Sequence, residues 1–284
     1  MNVGEMQRKL SQWAERDKKH RFFDLYHLIY DKDWLRLAHD YVKQNAGSKT
    51  AGCDGIQMSI FDERLEQNLQ QLAEELRRGT FEPYPVRRVY IPKANGKTRP
   101  LGIASIRDRI VQEALRMIME PIYEADFYQR SFGFRPNRRT MDAIKYADLN
   151  TIGTQRYFWL IECDISSYFD TVHHRKLMQL LQGRLKDRRI LDLIWKFLRA
   201  GVIEREVFHQ TEQGVPQGGI VTPLTQRKLL IQGQNMAHGN FLCLSVHDHF
   251  LYQQADDLSS FFKIQIGQIR FHPLREIGEL LNQL

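Results

Sequence analysis

Cysteine is scarce in this 284-residue chain: Cys53, Cys163 and Cys243 stand far apart, with no Cys-x-x-Cys pair. That spacing argues against a structural zinc site or a disulfide framework, and it fits a reducing compartment. Histidines do not fill the gap. The pairs His173–His174 and His247/His249 have no further ligands at metal spacing and read as surface or core residues. Long apolar runs are missing too. No stretch approaches the roughly 20 residues of a membrane span, and the start, MNVGEMQRKLSQW, lacks the apolar segment of a secretory signal. The expectation is a cytoplasmic protein with no membrane partner. Internal repeats and low-complexity segments are absent.

What is present is ordinary for a chain with a core: 42% hydrophobic and 26% charged residues. The length suits one large domain or two small ones. Lys and Arg number 41 against 34 for Asp and Glu, a net charge of +7. An excess of this size favours a polyanionic partner such as nucleic acid, although solubility alone accounts for it equally well.

The pattern of apolar residues predicts helices over residues 1–45, with aromatics interleaved, and then a small-residue loop, NAGSKTAGCDG. Leu65, Leu69, Leu72 and Leu76 step at helical spacing, with Gly79 placed to end that helix. VRRVYI (86–91) reads as a strand and PKANGKTRP as a turn. Ser105 can cap a following helix that Pro121 would end. A short helix through Met141 and Ile144 is expected next. YFWLIEC (157–163) is short and continuously apolar, as a buried central strand is. Helices over about 174–182 and from about 187 to Gly201 should follow, and then a strand, VIEREVF. Beyond Leu224 no firm period holds, and Phe262, Ile264, Ile266 and Ile269 alternate only weakly.

Three segments carry chemistry. Asp164 stands at the end of the apolar run, where a carboxylate is costly unless a metal or strong donor holds it. Mg²⁺, a hard cation bound by one or two carboxylates with phosphates and water, fits that position; so does an Asp that caps the next turn. Lys93, Lys97 and Arg99 surround a glycine-containing turn after a strand, a loop able to fold over a triphosphate or, equally, a solvated hairpin tip. In GVPQGG, Gly218 and Gly219 allow close backbone approach, and Gln217 offers a flat amide near a base or sugar.

Taken in order over about residues 50–224, these segments resemble the reverse transcriptases, most closely the group II intron-encoded ones. GCDGI is similar to that family's extra N-terminal motif. RRVYIPKANGKTRPLGIASIRDRIVQEAL resembles the first fingers motif and SFGFRPNRRTMDAI the second. CDISSYFDTVHH resembles palm motif A, and GVPQGGIVTPL the palm motif after it. The resemblance implies an α+β right-hand polymerase fold, with fingers and an incomplete palm on an antiparallel sheet. The implied organisation is an N-terminal extension (1–80), fingers (81–150), partial palm (151–224) and an atypical tail (225–284).

It implies roles as well. Asp164 would be the first metal-binding aspartate, and the carbonyl of Ile165 a second ligand to Mg²⁺. Lys93 and Arg99 would hold the incoming triphosphate, Phe169 would lie under the sugar and select dNTP over rNTP, and Gln217 would line the nucleotide pocket. Arg135, Arg138 and Arg139 would contact the template backbone, or form a solvated charge cluster. An RNA template of intron type and a primer are the implied partners.

The family's Tyr-Ala-Asp-Asp hairpin has no counterpart here. The nearest string is YQQADDL, which makes Asp256 and Asp257 the candidates for the remaining carboxylates. The change after Leu224 suggests a truncated, frame-shifted or rearranged coding sequence. Two functions follow as alternatives: an RNA-directed DNA polymerase, or an RNA-binding, maturase-like remnant without polymerase activity.

Overall fold

Ten α-helices and seven strands form in the structure, a computed structural model that describes residues 2–92, 96, 98–149, 159–165, 168–215, 249–250 and 266–273; over 159–168, 249–250 and 266–273 only the backbone course is described. In chain order they are α1 (Val3–Arg16), α2 (Tyr26–Ile29), α3 (Lys32–Gln44), α4 (Met58–Asp62), α5 (Leu65–Arg78), β1 (Val86–Pro92), β2 (Thr98–Ile103) and α6 (Ile106–Glu124). Then come α7 (Thr140–Asp148), β3 (Trp159–Ile165), α8 (Tyr168–Thr171), α9 (His174–Leu181) and α10 (Arg188–Arg199). Last are β4 (Val202–Glu204), β5 (Val207–His209), β6 (His249–Phe250) and β7 (Ile266–Pro273). Two compact units divide the chain: Met1–Asp126 with Phe169–Lys228, and Phe127–Tyr168 with Leu229–Leu284.

The core of the first unit is α6. Its buried residues include Ile110, Val111, Ala114, Leu115, Ile118 and Ile122, so it is apolar on nearly every side and is wrapped rather than laid on a surface. Helices α1 and α3 pack along it. Ser105 caps it as expected, its side chain accepting from the Asp108 N–H at 3.2 Å. Pro121 does not end it. The ring removes the N–H that the Met117 carbonyl would accept, and the Gln7 side-chain amide of α1 donates to that carbonyl instead at 3.0 Å. The helix therefore runs one turn further than its sequence suggests.

Helix α5 ends as its leucines and glycine predict, with Gly79 left-handed at φ 77°. Its last carbonyls are taken by side chains: Tyr26 Oη donates to Leu76 at 2.9 Å, and Arg189 to Arg77 at 2.8 Å. Asp187 serves two helices at once. One oxygen accepts from Arg189 and Ile190 at the start of α10, the other from Leu25 and Tyr26 at the start of α2, at 2.6 and 2.8 Å.

A four-stranded sheet, ordered β2-β1-β4-β5, completes this unit. β1 and β2 are antiparallel, β1 and β4 parallel, β4 and β5 antiparallel. VIEREVF is thus a hairpin rather than the single strand expected. Arg205 and Glu206, both at positive φ (48° and 67°), form its two-residue turn without glycine or asparagine.

In the second unit the sheet order is β6-β3-β7, with both pairings antiparallel. β3, expected from the apolar run, is the middle strand of the three and continues through Asp164 to Ile165. β7 forms where the sequence shows only weak alternation. Ahead of α7, residues 128–139 are wound through two left-handed non-glycine residues, Phe134 (φ 53°) and Asn137 (φ 59°).

Candidate active site

The first fingers motif folds as the β1–β2 hairpin. Arg99 sits on β2 opposite Ile91 and is exposed, one residue from the strand's start; Gly96, at φ 76°, takes the left-handed bend of the turn. Lys93 and Lys97 lie outside the described residues. The hairpin's β1 is tied to the body by Tyr90, whose hydroxyl donates to Glu204 at 2.7 Å, and by Arg87, which donates to the Ala51 carbonyl at 2.7 Å.

That carbonyl belongs to the loop that leads into GCDGI, and the glycines of the motif have physical work. A Cβ on Gly52 would come within 2.5 Å of the Ser105 Cα, so the loop lies against the start of α6 only because the residue is glycine. Gly55 is left-handed, and Asp54 closes the turn by accepting from the Ile56 N–H at 3.2 Å. Arg109 fastens the other side through the Gly47 and Thr50 carbonyls, at 2.8 and 2.7 Å. A groove of about 480 Å³ opens beside this loop, lined by Asp54, Ile56, Tyr84 and Arg107 among others; none of the predicted site residues lines it.

Buried beneath the same region is Asp108, an acid of the first turn of α6. One oxygen accepts from the Tyr84 N–H at 2.8 Å; the other has no hydrogen-bond partner among the described residues. Its neighbour Arg107 bonds Glu75 at 2.7 Å and stays 3.8 Å from Asp108. Burial outweighs the hydrogen bonding at Ser105 and Tyr84 and the charge of Arg107, and pushes the Asp108 carboxyl up to about 7.

Motif A starts in the second unit. Asp164 is on the middle strand, level with His249 on one side and Gln268 on the other. Between Asp164 and Ile165 the register with β7 shifts, because Ile165 pairs with Ile266 and Gly267 is passed over. A β-bulge re-aims the residues beside it, and it falls here at the predicted metal-binding pair. The donors available, a carboxylate and a main-chain carbonyl, are hard oxygens of the kind that suit Mg²⁺. Among the described residues no group of three His, Cys, Asp or Glu could hold a metal. Asp256 and Asp257 lie outside the described residues.

The later part of motif A belongs to the first unit. Half-buried Phe169 accepts from the Val215 N–H through its carbonyl at 2.7 Å, and Val172 accepts from Gly214 at 2.8 Å. These bonds join the Phe169 turn to the segment that leads into Gln217, itself outside the described residues. Gly214 is left-handed (φ 86°), and a Cβ there would stand 2.9 Å from the Phe169 carbonyl. The Gly214 carbonyl accepts from His174 Nε2 at 2.6 Å. His174 is buried, and burial holds its imidazole below the ordinary value; because a carbonyl can only accept, Nε2 is the donor of this bond. The sequence shows this histidine only as one of a pair; its partner lies 40 residues on.

The three arginines of the second fingers motif do not stand alike. Arg135 is 8% exposed and donates to the Tyr128 and Ser131 carbonyls at 2.7 and 2.8 Å. Arg138 donates to the Gln129 carbonyl and lies over the Phe132 ring. Arg139 is exposed just before α7, and its N–H donates to the Asp142 carboxylate at 2.8 Å. No helix among the described residues is long and apolar enough to cross a membrane.

Comparison with known proteins places this arrangement. The family model of reverse transcriptases (RNA-dependent DNA polymerases) matches residues 91–272, from the end of β1 into β7 and so past Leu224. The chain is 45% identical over 244 residues to Protein YkfC of Escherichia coli K12, covering 85% of this chain and 64% of that protein. It is 37% identical over 217 residues to the group II intron-encoded protein LtrA of Lactococcus lactis, covering 76% of this chain and 35% of LtrA. It thus spans less than two thirds of either relative. Among solved structures, a chain of a partial Cas6-RT-Cas1–Cas2 complex superposes with a TM-score of 0.50 at 20% identity, over 78% of this chain and 36% of that one. The α+β fold is the right-hand polymerase fold, and the chain belongs to the reverse transcriptase family, among the group II intron-encoded proteins.

Proposed function

We propose that the chain is an RNA-directed DNA polymerase that extends a primer on an intron-like RNA template in the cytoplasm, with Mg²⁺ as its metal. The observation that carries the reading is the position of Asp164, on the middle strand of an antiparallel sheet at a bulge, within the segment matched by the family. In the reaction the primer 3′-oxygen attacks the α-phosphorus of a dNTP. The new P–O bond forms as the bond to the β-phosphate breaks, pyrophosphate leaves, and the hydroxyl proton is lost to solvent. Bound divalent ions would lower the barrier by activating that hydroxyl and steadying the leaving group. Asp164 and the Ile165 carbonyl would hold the metal, with Asp256 and Asp257 as the candidates for the further carboxylates.

The other residues bind and select. Lys93 and Arg99 grip the triphosphate from the hairpin, Arg as a planar fork and Lys as a point charge. Phe169 packs under the sugar and Gln217 lines the pocket. Fingers (81–150) and partial palm (151–224) divide the work, with 1–80 as extension and 225–284 as tail.

Primer extension on an RNA template, beside an Asp164→Ala control, tests the proposal. Incorporation that the substitution abolishes supports it. No incorporation by the wild-type chain, together with salt-sensitive RNA binding, points to the non-catalytic RNA-binding remnant.

A further inference from the structure

The loop of residues 128–139 is built around arginines. Arg135 lies over the Phe127 ring at 5.6 Å, Arg138 over Phe132 at 5.4 Å, and Arg130 near both Tyr128 and Tyr146, at 5.9 and 5.6 Å. Arg135 and Arg138 also bond three carbonyls of the same loop, those of Tyr128, Ser131 and Gln129. The loop's aromatics are thus each matched by a cation, with one exception. Phe134 has no ring or cation partner among the described residues and is 69% exposed. Its backbone is left-handed at φ 53°, a conformation that a bulky residue rarely adopts and that costs free energy. Holding a large apolar ring out in water on a disfavoured backbone is doubly unfavourable for the isolated loop, and the arginine-carbonyl bonds maintain it.

We propose that Phe134 is a stacking platform for an unpaired base of single-stranded RNA. Every nucleobase has a face that can lie on an aromatic ring, and the phosphates on either side would meet exposed Arg130 and Arg139. The exposed arginines of the same loop favour a polyanionic strand over a protein partner, and the ring's exposure favours a splayed base over a closed duplex. Arg135 is then a positioning residue, which fixes the loop that presents the ring. This goes beyond the template-backbone role expected of the arginines, and it rests on the reading that the chain handles RNA.

The test is binding to a labelled single-stranded oligoadenylate and to an RNA duplex of equal length, followed over a range of salt. Phe134→Ala should weaken single-strand binding about tenfold. Duplex binding and the salt slope should be unchanged, because no phosphate contact is lost. Phe134→Trp should retain affinity. Phe134→Asn, which tolerates the left-handed backbone, should lose the same affinity as Phe134→Ala without loss of melting temperature. A fluorescent purine analogue in the strand should be quenched by the wild-type chain and not by Phe134→Ala. Wild-type affinity in Phe134→Ala, or equal loss on strand and duplex, would overturn the platform while leaving RNA binding intact. A wild-type chain that binds neither RNA overturns both readings.

Discussion

The helical body of the first unit and the 128–139 loop of the second use charged residues in opposite ways. In the body, Asp187, Arg184 and Asp108 are each under a tenth exposed and bond main-chain groups: Asp187 at the starts of two helices, Arg184 at the Ala14 carbonyl and Asp108 at the Tyr84 N–H. In the loop Arg135 and Arg138 make the same commitment, to the Tyr128, Ser131 and Gln129 carbonyls. Arg130 and Arg139 are exposed, in the same loop as the exposed Phe134. The net charge of +7 therefore does not say which cations a polyanion can reach, because buried acids and buried arginines both enter the sum. A buried guanidinium or carboxylate whose lone pairs and protons are satisfied acts as a fastener, and removing one partner leaves main-chain groups stranded. An exposed one contributes little to stability and much to salt-dependent association.

The sharpest way to break the contrast is Asp187→Ala. Four N–H groups, those of Leu25, Tyr26, Arg189 and Ile190, would lose their acceptor together. With each lost cap worth about 1 kcal/mol and the site buried, a loss of roughly 3–4 kcal/mol is expected. It would show as a lower urea midpoint with an unchanged slope. Asp187→Asn, which keeps one accepting oxygen, should fall between the two.

Asp108 gives the next effect, and its sign is opposite. Its carboxyl is raised in the fold to about 7, whereas in the unfolded chain it ionises near its ordinary value of 3.8. Between these values the folded chain binds the extra proton, so stability falls as pH rises through that window. Asp108→Asn keeps an acceptor for the Tyr84 N–H and removes the charge. Thermal melts above about pH 7 should show the variant more stable than wild type, by an amount on the order of 2–4 kcal/mol. The advantage should disappear towards pH 4. A variant less stable at every pH would mean that the ionised carboxylate is held by its neighbours after all.

Much of the fold is legible in the sequence where cause and effect are local. The leucines of α5 and Gly79, Ser105 before α6, and the apolar run of β3 all act within a few residues of themselves. What escapes depends on partners brought from afar. Pro121 fails to stop α6 because Gln7 supplies the missing donor from another helix. The turn at Arg205–Glu206 has no glycine or asparagine to mark it, and β7 is defined by pairing with β3 rather than by its own alternation. In the candidate site the strings identify Asp164, Arg99 and Phe169 by position. Nothing in SFGFRPNRRT says that Arg135 turns inward and Arg139 outward, because that depends on how the loop winds through Phe134 and Asn137.

That last difference supplies the finest test, on two arginines four residues apart. Arg135→Ala strips the Tyr128 and Ser131 carbonyls of a buried donor and should cost about 1–3 kcal/mol in thermal unfolding. Lysine should rescue it only in part, because a single ammonium cannot reproduce a planar fork over the Phe127 ring. Arg139→Ala should leave the unfolding free energy within about 0.5 kcal/mol of wild type, as surface changes do. Its effect belongs in RNA binding, where losing one phosphate contact should lower the slope of log affinity against log salt by about one. If Arg135→Ala moved the salt slope and left stability alone, the inward guanidinium would be a nucleic-acid contact, and the division between fastening and contacting charges would fail at the place where it is drawn most finely.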